Sequence, residues 1–409
     1  MIRILAAFSL LLTVLLAACG ERVIASRAGS LSPGSFAYLR AAFYPGETDT
    51  DALIQELVEL DAKGLLADRL GFRKDPAREK YVLLEKRRRL QKAAYAFFSR
   101  KLGERFSPAE MLASMNVRPG IDGAVKAIGA VTGRAISSPG SVIVAEWPGG
   151  AVRLADLRET MLPGEWEQLL ALGPAPLAGA LEENLRRWAY GAGSGLLARE
   201  TGADEDELAR FDRCRAAALF LAAKYGFADE GIYPAKIIEV DLEPKELMLH
   251  FAKIRDRFLP LKRALVRYTA VKDLKAADRF VDALKKGEDF AVLAEKHAIS
   301  AAFRATAARH YIREDAAAGT GDAAEARRFV LGAARQNIRE PVKSITRYGV
   351  LVAQVLSTER VKKEVRYGDY ISTVRYELNR ELLRRQFPID LDDTVRGMRV
   401  RIDRGAVGR

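Results

Sequence analysis

Apolar residues recur three and four positions apart along most of the chain, the spacing of helices that bury one face. Ser32-Pro33 opens the first such stretch: Ser suits an N-cap and Pro the first turn, and Phe36, Leu39 and Phe43 follow at helical spacing. Asp51 to Leu70 reads as a long amphipathic helix carrying Leu53, Leu57, Leu60 and Leu65, with Gly71 where a helix end needs a left-handed residue. Asp75-Pro76 then caps a helix through Tyr81, Leu84, Leu90, Tyr95 and Phe98, and Ser107-Pro108-Ala109-Glu110 is a capping box that starts a shorter one. Val23-Ile24-Ala25 reads as a short strand ahead of these helices.

Residues 114–141 break the pattern. They hold five Gly and two Pro with little charge, which predicts a linker or irregular segment. The chain then echoes itself. Val142-Ile143-Val144-Ala145 parallels Val23-Ile24-Ala25, and Gly150 and Leu154 to Leu157 parallel Gly29 and the helix around Phe36. Gly64-Leu65-Leu66-Ala67-Asp68-Arg69-Leu70-Gly71-Phe72 returns 131 residues later as Gly195-Leu196-Leu197-Ala198-Arg199-Glu200-Thr201-Gly202-Ala203, identical at five of nine positions. Each copy leads to an acid-capped helix, from Asp75 or from Asp204 with Glu207, that ends near Tyr95 or Tyr225. The pattern is that of a duplicated helical module.

The last third mixes periods. A helix from Glu243-Pro244 carries Leu247, Phe251, Ile254 and Phe258 up to Pro260, and Ala264 to Val271 is strand-like. Ala276 to Leu284 reads as a helix with Ala277, Phe280, Val281 and Leu284 on one face, and a second, beyond Gly287, carries Phe290, Leu293, Ala294 and His297. Strand character returns in 341–356, followed by a basic amphipathic helix over about 362–386 and a strand-like Met398 to Ile402.

At the start of the chain, Arg3 precedes an apolar run from Ile4 to Ala18 that is too short to span a bilayer and of the length of a signal-peptide core. It ends in Leu16-Ala17-Ala18-Cys19-Gly20, which looks like a bacterial lipobox. The expectation is removal of residues 1–18 and lipid attachment at Cys19, with acyl chains rather than a helix as the anchor. Cleavage takes 18 residues from 409 and leaves 391, with Cys214 as the only remaining cysteine, so no intramolecular disulfide forms. Cys214 lies in an apolar helical stretch, where packing is its expected role.

Net charge is +12, and loss of Arg3 leaves +11, a balance that favours acidic partners. Export argues against nucleic acid. The run Lys86-Arg87-Arg88-Arg89 lies on a predicted helix and reads as a solvated face. The sequence has no cluster at zinc-ligand spacing, no phosphate loop and no nucleophile elbow, and Asp241 and Glu243 read as surface or cap residues. No catalytic residue, metal or cofactor is expected.

Residues 264–356 resemble the parvulin-type peptidyl-prolyl isomerase domain. The match rests on the first strand, on Ala276 to Ser300 with its Lys-Lys-Gly-Glu-Asp-Phe-Ala stretch, and on Glu340 to Val355. The surroundings resemble SurA-type and PrsA-type envelope chaperones, in which N-terminal helical modules precede the isomerase domain and a C-terminal helix packs back on them. The resemblance implies a mainly α, multidomain chain with a small α+β domain built on an antiparallel sheet. It divides the chain into a signal peptide (1–18), a first helical module (19–113), a linker (114–141), a second module (142–245), a parvulin-like domain with its lead-in helix (246–358) and a C-terminal helix and strand (359–409). Parvulins usually carry a histidine at the end of the first strand and another in the last, around a small apolar proline pocket. Those positions fall on Tyr268 and Leu351. The glycine-rich segment after the second helix is replaced by Ala301 to Tyr311, and His250, His297 and His310 do not fit the missing pair.

The resemblance implies an envelope chaperone that works without ATP on unfolded or nascent exported proteins, held to a membrane by its lipid, with a parvulin-like domain that has lost its chemistry. Phe36, Phe43, Trp166 and Trp188 are candidate contact residues. The alternatives are an active isomerase with a rebuilt pocket and an adaptor lipoprotein with one fixed partner in an envelope complex.

Overall fold

The protein is described here from a computed structural model covering residues 22–129, 141–148, 150–162, 164–227, 233–313, 322–336, 338–346 and 348–406. The expected signal peptide, Cys19 and residues 130–140 of the expected linker lie outside the described residues. The chain is mainly helical and forms two compact units, one from residues up to 239 together with 380–409, the other from 240–379.

The first unit opens with the hairpin β1 (Ile24–Ser26) and β2 (Gly29–Leu31), followed by α1 (Pro33–Phe43), α2 (Thr50–Arg69), α3 (Arg78–Leu102) and α4 (Pro108–Ser114). Ser32 and Asp49 cap α1 and α2 as N-caps should, and the Ser107–Glu110 capping box forms at α4. Inside the stretch predicted to be a linker, β3 (Arg118–Pro119) pairs with a later strand and α5 (Ile121–Gly129) is helical. Ile121, Ala124 and Ile128 fall on one face of α5 and are buried, so three apolar contacts outweigh the helix-weakening Gly123. There follow β4 (Ile143–Trp147), β5 (Gly150–Arg153), α6 (Leu154–Arg158), α7 (Glu165–Leu170), α8 (Pro174–Thr201) and α9 (Glu205–Lys224).

The duplicated motif has one local geometry in both copies. It forms the last turns of α2 and of α8, each closed by a left-handed glycine, Gly71 (φ 95°) or Gly202 (φ 70°). Asp204 then caps α9, accepting from the N–H groups of Asp206 and Glu207, whereas Asp75 does not cap α3 as expected: a short 3-10 turn (Phe72–Lys74) intervenes, Ala77 takes the N-cap position, and Asp75 accepts from the Ala77 N–H ahead of the helix. Tight packing uses different glycines in the two copies. A Cβ on Gly64 would lie 2.7 Å from Cys214 Sγ, which draws α2 against α9. In α8 the equivalent Gly195 has open space, and Gly193 takes that role, where a Cβ would lie 2.6 Å from Phe98 of α3.

One core joins β1, β2, α1, α2 and α3 to Ala189, Leu197, Leu208 and Phe211 of α8 and α9, so the segments 19–113 and 142–245 share it. A second core lies under α5, β4, α6 and the start of α8. Residues from the end of the chain complete the first: Leu391, Met398 and Ala406 are buried in it, and β10 (Arg401–Ile402) pairs with β1 through Ile24 and Ile402. The helix that carries Leu391 and Met398, α15 (Ile371–Met398), starts nine residues later than the pattern predicts and runs past Pro388. Burial of Leu383, Leu391, Thr394 and Met398 along it offsets the hydrogen bond that Pro388 removes. The predicted strand at Met398 is therefore helical at its first residue, and Arg399 (φ 52°) turns the chain into β10.

The basic run on α3 is solvated only in part: Lys86 and Arg88 are exposed, and Arg87 and Arg89 are not. Arg89 is 1% exposed. Its Nε donates to both carboxylate oxygens of Asp212 at 3.0 Å, one Nη donates to the Tyr38 hydroxyl at 3.2 Å, and the other reaches Glu205 at 3.1 Å. The Tyr38 hydroxyl also bonds Ser194 at 2.5 Å, so a single guanidinium ties α1, α3, α8 and α9 together. Burial pushes the Asp212 carboxyl up to about 6 against the opposing pull of Arg89, leaving the pair ionised at neutral pH. Arg87 is half-buried too and pairs with Glu165 at 2.5 Å.

The second unit begins with α10 (Pro244–Ile254) and continues through β6 (Leu261–Val271), α11 (Leu274–Lys285), α12 (Phe290–His297), α13 (Ala301–Ala305), β7 (His310–Arg313), α14 (Asp322–Arg335), β8 (Val342–Thr346) and β9 (Gly349–Arg360). The strands form one antiparallel sheet in the order β7-β6-β9-β8. Strand alternation sends Val266, Ala353 and Val355 into a core with Val330, Leu331 and Ala334 of α14. It sends Val271, Val350 and Val352 into the opposite core with Phe280 of α11 and Phe290 and Leu293 of α12.

Truncation of Arg89 leaves the Asp212 carboxylate buried without its partner. Arg89→Ala lowers unfolding free energy by ~3–5 kcal/mol, whereas Arg100→Ala, which breaks the exposed pair with Glu200, costs under ~1 kcal/mol. Urea unfolding of the two variants checks this, and equal losses would contradict it.

Candidate functional site

The register of β6 against β9 settles where the two sequence-marked positions lie. Tyr268 stands opposite Ala353, and Ala270 opposite Leu351, so all four side chains share the α14 face of the sheet. Leu351, Ala270 and Ala326 of α14 form a fully buried apolar floor. Half-buried Tyr268, Phe303, Phe329 and Tyr348 surround it, with the Phe303 and Tyr348 rings stacked 5.1 Å apart. The result is a packed apolar cluster walled by aromatic rings on the α14 face of the sheet.

Two threonine hydroxyls fasten this wall to the sheet. Thr269 donates to the Phe303 carbonyl at 3.0 Å, and Thr306 donates to the Tyr268 carbonyl at 2.8 Å. Ala301 to Tyr311, the segment that departs from the family pattern, thus supplies α13 as one side of the site and β7 as an edge strand.

The structure places His310 beside Tyr268. It begins β7 opposite Val266, and its ring meets that of Tyr268 edge-on at 5.3 Å, with Nδ1 2.9 Å from the Ala308 carbonyl oxygen. The alternation of β7 against β6 is the signal that places it there, and that pairing is not visible along the chain. His297 instead packs near Phe280 on the other side of the sheet, and His250 is buried on α10.

Chemically the site is sparse. Burial raises the Tyr268 phenol, outweighing the nearby Arg327 charge, so the hydroxyl stays protonated. The Leu351 side chain neither donates nor accepts. Among the described residues, no group of three or more metal-ligating side chains converges anywhere. Among the described residues, His310 is the only histidine beside the site.

The candidate contact residues divide. Phe36 is 2% exposed in the first core, which removes it as a contact surface; its position on the inward face of α1 dictates that burial. Phe43, Trp166 and Trp188 are partly buried against the two cores of the first unit. The large apolar side chains that do face solvent include Met248 and Leu249 on α10, Tyr311 on β7 and Ile345 on β8, each 58–69% exposed.

No family model matches the sequence, and no curated protein matches it. Solved structures do match. PrsA from Bacillus cereus, described as a peptidylprolyl isomerase, is 15% identical, covering 66% of this chain and 96% of its own, at a TM-score of 0.19. PrsA from Bacillus subtilis is 15% identical, covering 63% and 91%, at 0.19. One of two structurally related SurA-like chaperones of Campylobacter jejuni is 15% identical, covering 64% and 100%, at 0.22. Scores this low fix no residue correspondence, so the site rests on its own geometry.

Leu351→Ala opens a cavity in the floor and costs ~2–5 kcal/mol in unfolding free energy. Tyr268→Phe removes a hydroxyl that has no hydrogen-bond partner among the described residues and changes stability by under ~0.5 kcal/mol. Chemical denaturation of both variants tests the packing, which a small loss for Leu351→Ala would contradict.

Proposed function

We propose that this chain is an envelope chaperone that binds unfolded exported proteins without nucleotide, and that its sheet domain shelters an apolar side chain without catalysing prolyl isomerisation. The observation that carries the reading is the floor of the site: Leu351 is fully buried where the resembled family has a histidine, and Tyr268, at the other histidine position, is protonated and half-buried. Isomerisation requires lowering a barrier of ~18–20 kcal/mol by stabilising a twisted amide. The groups lining this site supply burial and few polar contacts toward that end. Exposed Met248, Leu249, Tyr311 and Ile345 supply apolar area for weak, reversible contact with an unfolded chain. The +11 charge of the mature chain speeds encounter with acidic clients.

Attachment to a membrane through lipid on Cys19 belongs to the same reading and rests on the sequence before it. It places the protein in the bacterial envelope, facing the periplasm or the exterior, and leaves no part for nucleic acid.

One observation favours a second reading. His310 against Tyr268 gives the site one histidine, and an active isomerase with a rebuilt pocket would use it.

Purified chain should suppress aggregation of a chemically denatured protein without ATP while leaving the cis-to-trans rate of a proline peptide at its uncatalysed value. Catalysis that His310→Ala abolishes would replace the first reading with the second. Failure in both assays would favour an adaptor with one folded partner. In a bacterial host, Cys19→Ser should move the protein from the membrane fraction to the soluble fraction; unchanged membrane association would refute the lipid anchor.

A further inference from the structure

A cleft of about 400 Å³ in the first unit lies between α2, the start of α3 and α9. Four guanidinium groups line it, those of Arg73, Arg78, Arg210 and Arg213, together with two carboxylates, Asp61 and Asp68. Each carboxylate is already matched: Arg73 donates to Asp68 at 2.7 Å, and Arg210 lies 3.4 Å from Asp61. Among the described residues, Arg78 and Arg213 have no ion-pair partner. The cleft therefore carries two unbalanced positive charges.

A second observation points the same way. The Nε–H of Arg78 is enclosed and has no acceptor. An enclosed donor without a partner is unfavourable in a folded protein, and a shift of the Arg78 side chain toward an acceptor in the cleft would relieve it. The rest of the wall adds no negative charge: Cys214 is buried, and its thiol stays protonated because burial and the neighbouring Asp61 both raise it. Ala28, Leu65 and Ala217 leave room for a compact ligand.

We propose that this cleft binds a phosphate group, either free or carried by a lipid headgroup. Guanidinium forks present paired N–H donors at the spacing of phosphate oxygens, and two unmatched forks suit a doubly charged tetrahedral anion better than a single carboxylate. Asp61 and Asp68 would keep Arg210 and Arg73 in place, leaving Arg78 and Arg213 as the groups that gain most from the anion. This inference is independent of the apolar site in the second unit.

Calorimetric titration of inorganic phosphate into the unlipidated chain (Cys19→Ser), at constant ionic strength, reads the site directly. The expected result is saturable binding at one site, weakened about tenfold by Arg78→Gln and by Arg213→Gln, with acetate binding more weakly. Arg78 also stacks over Phe72 at 5.9 Å, so Arg213→Gln, at an exposed position, guards against a folding artefact, and its thermal unfolding should match that of the parent chain. Co-sedimentation with phosphatidylglycerol vesicles, against phosphatidylcholine alone, separates the sources. Vesicle binding lost in Arg213→Gln and competed by phosphate identifies a headgroup; vesicle binding indifferent to the variant identifies free phosphate. Absence of saturable phosphate binding, binding unchanged in both variants, or acetate binding as tightly as phosphate would overturn the proposal.

Discussion

A guanidinium withdrawn from water sets the terms for the helical unit. Arg89 gives up hydration and recovers it only if Asp212, Tyr38 and Glu205 all arrive in one arrangement. Desolvation of the two ions costs several kcal/mol each, so the pair adds little net stability over apolar side chains of the same volume. Its effect is on alternatives: any sliding of α1, α3 or α9 strands a buried charge. The close approaches at Gly64 and Gly193 fix the remaining freedom, because each helix pair is already in contact where a side chain would otherwise stand. The last residues of the chain join this same unit by strand pairing and by Leu391, Met398 and Ala406.

Most of the secondary structure was legible because it is local. Caps at Ser32, Ser107 and Asp204, and the glycine ends at Gly71 and Gly202, are encoded within a few residues of where they act. What the sequence hid is tertiary. Gly and Pro content concealed α5, whose burial only the second core reveals. Pro388 concealed the length of α15 for the same reason. Arg89 read as solvated because its partner lies 123 positions away. The repeat was visible, yet its packing glycine shifts by two residues between copies, and that depends on which helix each copy meets.

The candidate site divides along the same line. Tyr268 and Leu351 were identifiable from the strand pattern and the family resemblance, and their shared face follows from strand alternation once the register is known. Phe303 and His310 reach the site through the segment that departs from the family pattern and Tyr348 from the turn between β8 and β9, and only the sheet order reveals it. The geometry that results is an apolar cluster with one phenol and one imidazole at its edge. Under the proposed function, the exposed apolar side chains on α10, β7 and β8 would supply shallow, reversible contacts.

Binding of an unfolded chain is therefore the central claim, and fluorescence anisotropy tests it most directly. A labelled, permanently unfolded polypeptide is titrated with the purified protein in the absence of nucleotide. The account predicts saturable binding in the micromolar range, about −8 kcal/mol, with the folded form of the same polypeptide bound far more weakly. No binding, or equal affinity for the folded form, would contradict it.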